Sequence, residues 1–186
     1  MSDTAETPPA RPTLATVWLD GCSGCHMSFL DLDHDLLALA EVADIVFSPI
    51  IDAKEFPSGV DITLVEGAVS SVEDEQKIRL IRARTRILVS FGDCAVTGNV
   101  PSMRNYTGGP DAVLRRGYLE NVTLHPQIPY SVVPLLRPRV QPVHEVVAVD
   151  VYLPGCPPRP AEILATVQAL IAGEQPDLAG RTWFGR

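Results

Sequence analysis

No stretch of this chain offers the ~18 to 20 uninterrupted apolar residues needed to cross a bilayer, because Asp, Glu or Pro breaks every candidate. Direct membrane insertion is therefore not expected. Positive charge is also scarce. Only 15 Lys and Arg stand against 23 Asp and Glu, a formal net charge of -8, whereas a phosphate backbone is bound by clustered cations. No nucleic acid partner is expected. The arginines that do cluster, Arg79, Arg82, Arg84 and Arg86, follow Glu73, Asp74 and Glu75 and read as a solvated helix face. The first twelve residues hold three prolines and no apolar signal core, and the lone Arg11 is not a twin-arginine signal. The expected location is cytoplasmic. That compartment is reducing, so the only four cysteines present read as metal ligands or redox thiols rather than as structural bridges.

What is present suits one α/β domain: 186 residues can bury a real core but are few for two full domains. Residues 1–12 read as a disordered polar tail, and 13–186 as the folded unit. A β-rich run over 13–19 ends at Asp20-Gly21. From 26 to 42, Phe29, Leu32, Leu36, Leu37 and Ala40 recur at helical spacing, with Ser28 and Asp31 placed like a capping box. Strands are predicted over 45–51 and 61–66, then a helix with an acidic first turn from Ser71 to about 84, which suits the positive end of a helix dipole. The apolar run 86–91 reads as a buried parallel strand ending at Gly92-Asp93-Cys94.

The segment 95–143 carries prolines at 126, 129, 134, 138 and 142. Proline at that density forbids a regular helix and discourages a central strand, so a long ordered loop with one helix near 111–119 is predicted, of a length that often serves partner contact. A strand over 145–153 leads to Pro154-Gly155-Cys156-Pro157-Pro158. The two prolines are placed to start a last helix, with Ile163, Leu164, Val167, Leu170 and Ile171 on one face. Alternating strands and helices imply a doubly wound parallel sheet.

Ligand sites in such sheets lie at the carboxyl ends of the strands. Cys22 and Cys25 follow the first strand, Cys94 the fourth and Cys156 the last, so all four are expected at one edge. Four thiolates suit a tetrahedral zinc ion or an iron-sulfur cube, and spacing leaves both open. Taken alone, Cys22-Ser23-Gly24-Cys25 would also suit a thioredoxin-like dithiol, a reading that leaves Cys94 and Cys156 unexplained.

The residues Gly21-Cys22-Ser23-Gly24-Cys25-His26-Met27-Ser28-Phe29-Leu30-Asp31, then Glu66-Gly67, then Gly92-Asp93-Cys94-Ala95 with Thr97-Gly98-Asn99-Val100-Pro101, then Pro154-Gly155-Cys156-Pro157-Pro158, resemble the small subunits of NiFe hydrogenases. The stretches around Cys22 and Cys94 resemble most the short small subunits of cytoplasmic, NAD-reducing or bidirectional enzymes. The resemblance implies a flavodoxin-like domain whose Cys22, Cys25, Cys94 and Cys156 hold one proximal 4Fe-4S cluster. It also implies a large-subunit partner with the nickel-iron site, and iron-sulfur and flavin diaphorase subunits that reduce NAD. This chain has no second pair of C-x-x-C motifs, so the active site is expected in the partner. Glu66 is implied as a residue hydrogen-bonding near the cluster or passing protons. Asp20 and Asp93 either lower the cluster potential or form turns, and His26 would ligate only if a cysteine failed. His34, His125 and His144 read as surface residues. Flavodoxin-like folds also bind flavin mononucleotide (FMN) at this edge; cysteines occupy the loop after the first strand where a phosphate loop would lie, and FMN is left open. Two alternatives stand beside this reading: the homologous subunit of complex I or of an energy-converting membrane hydrogenase, and a zinc-stabilised binding module.

Overall fold

The computed structural model describes residues 11–185; all but the last two residues of the tail expected at 1–12 lie outside them. The central sheet has five parallel strands, β1 (Thr13–Trp18), β2 (Asp44–Phe47), β3 (Val60–Glu66), β5 (Thr85–Phe91) and β7 (Val151–Leu153). Their order is β2-β1-β3-β5-β7, the flavodoxin-like order in which the chain winds first to one side and then to the other. Between β3 and β5 lies the short strand β4 (Val69–Ser71), which pairs antiparallel with β6 (Leu136–Gln141) in a separate two-stranded ribbon.

Successive side chains of a strand point to opposite faces, and the core divides accordingly. Leu14, Ile62, Leu64, Val89 and Leu153 face Phe29, Leu39, Ile163 and Val167 on one side. Ala15, Val17, Val65 and Leu88 face Ile78 and Ile81 on the other. The first set packs under α1 (Gly24–Leu30), α2 (His34–Val42) and α6 (Pro160–Ile171), the second under α3 (Val72–Arg84). Ile78 and Ile81 are at most 1% exposed, and full burial of such side chains stabilises by about 1.5 to 3 kcal/mol each.

The helix expected over 26–42 is two helices. Leu32 turns inward to 5% exposure in the same core as Phe29, and Asp33 takes φ 52°, which a straight helix cannot include. The capping box expected at Ser28 and Asp31 is absent because Ser28 lies inside α1, its hydroxyl donating to the Pro158 carbonyl at 2.6 Å. A capping box does form at α3, where Ser71 accepts from the Asp74 N–H at 3.0 Å and Asp74 accepts from the Ser71 N–H at 2.9 Å. The strand expected over 45–51 stops at Phe47.

The proline-rich segment is more regular than expected. After α4 (Asp93–Thr97) come a 3-10 helix (Val100–Tyr106), α5 (Gly109–Arg115) and a π turn (Arg116–Glu120), and β6 runs through Pro138. Proline is tolerated there because β6 has one partner strand rather than two. The strand expected over 145–153 keeps only its last three residues, preceded by a 3-10 turn at Val143–Glu145. The last helix begins at Pro160 after Arg159, not at Pro157 or Pro158.

The arginine cluster is only partly a solvated face. Arg79 pairs with Glu75 at 2.7 Å in the open, while Arg82 donates to the Thr85 and Arg86 carbonyls and pairs with Asp150 at 2.5 Å. Arg84 donates to the Phe56 carbonyl, so these two side chains tie the helix to the start of β5 and to the loop before β3.

Candidate metal centre

Strand register brings the cysteine loops together. Trp18 pairs with Glu66, Glu66 with Phe91, and Phe91 with Leu153, so β1, β3, β5 and β7 end on one line. Cys22 lies in the loop after β1, Cys25 in the first turn of α1, Cys94 in α4 directly after β5, and Cys156 in the loop after β7. All four are free thiols, Cys25 buried, Cys94 half-buried, Cys22 and Cys156 exposed. All four line one cavity of about 60 Å³ with Glu66, Asp93 and Gly155. Cys22, Cys94 and Cys156 also line an adjoining open hollow of about 240 Å³ with Asn99, Val100 and Pro101. The Asn99 side-chain amide donates to Cys156 Sγ at 3.7 Å.

Glycine backbone forms the wall behind the sulfurs. Gly92 has φ 83°, and a Cβ there would stand 2.2 Å from Cys25 Sγ. Only a residue without a side chain leaves that sulfur its place.

Glu66 is where the sequence placed it, at the end of β3 and at the cysteine cavity, and it is 2% exposed. Its Oε1 accepts from the Cys25 N–H at 3.3 Å, and its Oε2 accepts from the His26 N–H at 3.0 Å and meets His26 Nδ1. Ser23, which precedes α1, makes no side-chain cap; Glu66 satisfies the helix's first amides from another strand, a role that capping residues usually fill locally. His26 is 5% exposed, packed edge-on between Trp18 at 5.4 Å and Phe91 at 6.2 Å, with Nε2 unpartnered. The sequence held His26 as a spare ligand and missed its pairing with Glu66. The two lie 40 positions apart, and the available signal was that both follow ends of neighbouring parallel strands.

Asp93 is 4% exposed and is neither a free charge nor a simple turn-former. Its Oδ1 accepts from the Gly155 N–H at 2.7 Å, and its own N–H donates to the Gly155 carbonyl at 2.9 Å, so it clamps the Cys94 loop to the Cys156 loop. Asp20 joins Ala68 through two main-chain hydrogen bonds of 3.1 and 2.7 Å. His34, His125 and His144 are exposed, as expected, and the His144 ring also meets Tyr152 edge-on at 5.9 Å.

Without a bound cation Cys25 and Cys94 resist ionisation. Burial first, then Glu66, then the other three cysteines push the Cys25 thiol far up. Cys94 is pushed up to about 11 by burial, with Cys156 and Cys22 adding to it and the Asn99 contact opposing it. Mutually repelling thiolates that converge on one cavity suit a positively charged metal centre.

The fold and site define a class: a flavodoxin-like parallel sheet carrying four thiols at its carboxyl edge. The chain belongs to the family described as NADH ubiquinone oxidoreductase, 20 Kd subunit, whose profile matches residues 22–170. Among its relatives, the delta subunit of the HoxS NAD-reducing hydrogenase of Cupriavidus necator is 39% identical over 89% of this chain and 81% of its own length. One component of the vhu F420-non-reducing hydrogenase of Methanocaldococcus jannaschii is 39% identical over 87% of this chain. This chain spans 57% of that relative, little more than half. A chain in the crystal structure of an NAD+-reducing NiFe hydrogenase in its H2-reduced state superimposes with a TM-score of 0.86 at 39% identity, covering 90% of this chain and 94% of that one. A chain of the NiFeSe hydrogenase of Desulfomicrobium baculatum, 20% identical with a TM-score of 0.55, shares the fold. No helix among the described residues is long and apolar enough to cross a membrane.

Proposed function

We propose that this chain is the electron-transferring small subunit of a NiFe hydrogenase and holds one 4Fe-4S cluster through Cys22, Cys25, Cys94 and Cys156. The observation that carries the reading is the convergence of all four thiols, from three strand ends, on one cavity. Four thiols around a common space suit the corners of a cube or one tetrahedral zinc, and the cube is favoured by a relative described as a hydrogenase iron-sulfur subunit, 32% identical over 88% of this chain. When bound, the cluster supplies one-electron transfer between the partner's nickel-iron site and the next carrier. This chain's residues do the rest: the glycine wall lets backbone reach the sulfurs, Glu66 and Asp93 fix the loops, and buried carboxylates beside the cysteines favour a low potential.

The acceptor in this reading is a set of iron-sulfur and flavin diaphorase subunits that reduce NAD in the cytoplasm. It is supported by 39% identity across 81% of the NAD-reducing delta subunit. The large-subunit partner has a suitable surface. In this reading it covers Tyr106, Leu124, Tyr130 and Val132 of the segment after Cys94, which are 77% to 105% exposed. An interface of roughly 2,000 Å² or more is expected there. The family description favours the second reading, a subunit of complex I. The spacing of Cys22 and Cys25, which complex I versions replace by adjacent cysteines, speaks against it. Metal and sulfide analysis of the anaerobically purified chain decides the first point: about four irons with acid-labile sulfide are expected, and one zinc without sulfide would refute the assignment. Hydrogen-dependent NAD reduction by the assembled complex tests the second.

A further inference from the structure

Asp93 has two carboxylate oxygens and uses them on different parts of the chain. Oδ1 accepts from Gly155, beside Cys156; Oδ2 accepts at 2.6 Å from the N–H of Gly185, 92 positions away. Residues 181–185 therefore return from beyond α6 to the cysteine edge and end on the residue next to Cys94. Among the described residues, few other contacts hold them. The Arg159 guanidinium donates to the Arg181 carbonyl at 3.1 Å and stacks over Trp183 at 5.7 Å, and Arg181 Nε lies 3.8 Å from the buried Glu162 carboxylate. Beneath the segment is a hollow of about 190 Å³ lined by Pro154, Pro158, Glu162 and Trp183. The segment spans this hollow instead of filling it, and Trp183 and Phe184 remain 48% and 62% exposed. Little apolar burial holds it down, so the short hydrogen bond to the buried Asp93 carboxyl is a large share of its attachment.

We propose that Asp93 is a positioning residue that latches residues 181–185 across the loops bearing Cys94 and Cys156, and that this latch slows loss of the metal centre those cysteines hold. The inference rests on the function proposed above for the four thiols. Its physical basis is that Cys156 is exposed and that Pro154 and Pro158, at the two ends of its loop, line the same hollow as strap residues Arg181 to Trp183. Releasing the strap leaves Gly155 bound to Asp93 but frees the outer face of the loop, so a cysteine sulfur leaves its iron more often.

Two variants of the full chain separate the contacts. Asp93→Asn leaves one accepting oxygen for two N–H donors, since an amide nitrogen cannot accept; Gly155, held in place also by the Asp93 N–H, keeps it and Gly185 loses it. Deletion of residues 181–186 removes the strap and leaves Asp93 intact. With anaerobically purified protein in excess iron chelator, both variants should lose iron roughly tenfold faster than the parent, the effect of one lost charge-assisted hydrogen bond. The double variant should be no faster than the deletion. Backbone hydrogen exchange over residues 153–158, which needs no cluster, should speed up in both. Unchanged iron loss and exchange on deletion would overturn the latch, as would fully additive effects, which would mean that Asp93 acts through Gly155 alone. A parent chain without iron would overturn the cluster assignment instead, and the exchange measurement would still judge the strap.

Discussion

Replacing Gly92 with Ala tests the site at its tightest point. The residue has φ 83° and ψ 161°, a region occupied almost solely by glycine, where another residue costs about 1 to 3 kcal/mol. The added methyl would also stand 2.2 Å from Cys25 Sγ and 3.5 Å from the Gly155 carbonyl. Cys25 is 8% exposed, so its sulfur can yield only into the small cavity that the other three cysteines share, and overpacking of this kind adds about 1 to 3 kcal/mol. The sum, about 2 to 6 kcal/mol, is large against a domain stability of about 5 to 15 kcal/mol. At roughly 2 to 4 °C per kcal/mol for a chain of this size, the melting temperature should fall by roughly 4 °C or more. Gly59→Ala is the control: its φ is 75°, yet a Cβ there meets nothing within 4 Å, so it carries backbone strain without the clash. Thermal unfolding by circular dichroism and iron content per chain are the two measurements. Gly92→Ala should melt below Gly59→Ala and also lose iron, which the control should retain. If both variants melted together with full iron, the contact between the glycine wall and the Cys25 sulfur would have no bearing on the site.

Cys156→Ala should remove or degrade the cluster and abolish hydrogen-linked electron transfer; an unchanged cluster spectrum with intact NAD reduction would exclude that residue as a ligand. Glu66→Gln should leave iron in place but slow hydrogen-dependent turnover, because one oxygen must then serve amides that two now share and a buried donor left without a partner costs about 1 to 3 kcal/mol; rates equal to the parent's across a wide pH range would leave Glu66 a structural cap only. In the metal-free chain the folded state favours Cys94 as the protonated thiol, with its pKa raised from 9.0 to about 11. The stability it contributes is complete below 9.0 and is lost as pH rises toward about 11, so urea midpoints should fall across that window, and Cys94→Ser should flatten the decline.

The sheet and the cysteine edge were legible because their signals are local. Runs such as Ile62 to Val65 and Leu88 to Phe91 end in Glu66-Gly67 and Gly92-Asp93, and one rule about parallel strand ends converts those endings into a shared edge. Breaks set by tertiary packing were not legible. Nothing in the spacing of Phe29, Leu32 and Leu36 shows that Leu32 turns into the core and divides the helix. Pro138 argues against a strand until a partner such as β4, itself only three residues long, is known to leave its other side free. Glu66 was singled out on its place at a strand end, but its contact with His26 depends on the register that sets Trp18 beside it. Asp93 read as a charge beside the cluster or as a turn-former, and its role as a clamp was hidden because its partners, Gly155 and Gly185, are 62 and 92 positions away.

The two buried carboxylates give the site its construction logic. Each reaches from its own strand end to the loop of a neighbouring strand: Glu66 on β3 holds the first amides after β1, and Asp93 after β5 holds Gly155 after β7. A buried carboxylate is tolerated when its oxygens are hydrogen-bonded: both oxygens of Glu66 and one of Asp93 accept main-chain N–H groups of the cysteine loops, and the other Asp93 oxygen accepts from Gly185. The acids that position the thiols are thus held in place by the thiols' own backbone. The same closeness opposes ionisation, since Glu66 is the second-largest cause of the rise at Cys25. Loop geometry therefore favours a metal centre while the charge balance of the metal-free site disfavours the thiolates that would bind it. Only a cation entering the cavity relieves both terms, so loading must release protons and should stabilise the fold more as pH rises. Strain at Gly92, the carboxylate clamps and the raised thiols are then consequences of a single requirement, that four sulfurs from three loops face one space beneath a sheet edge.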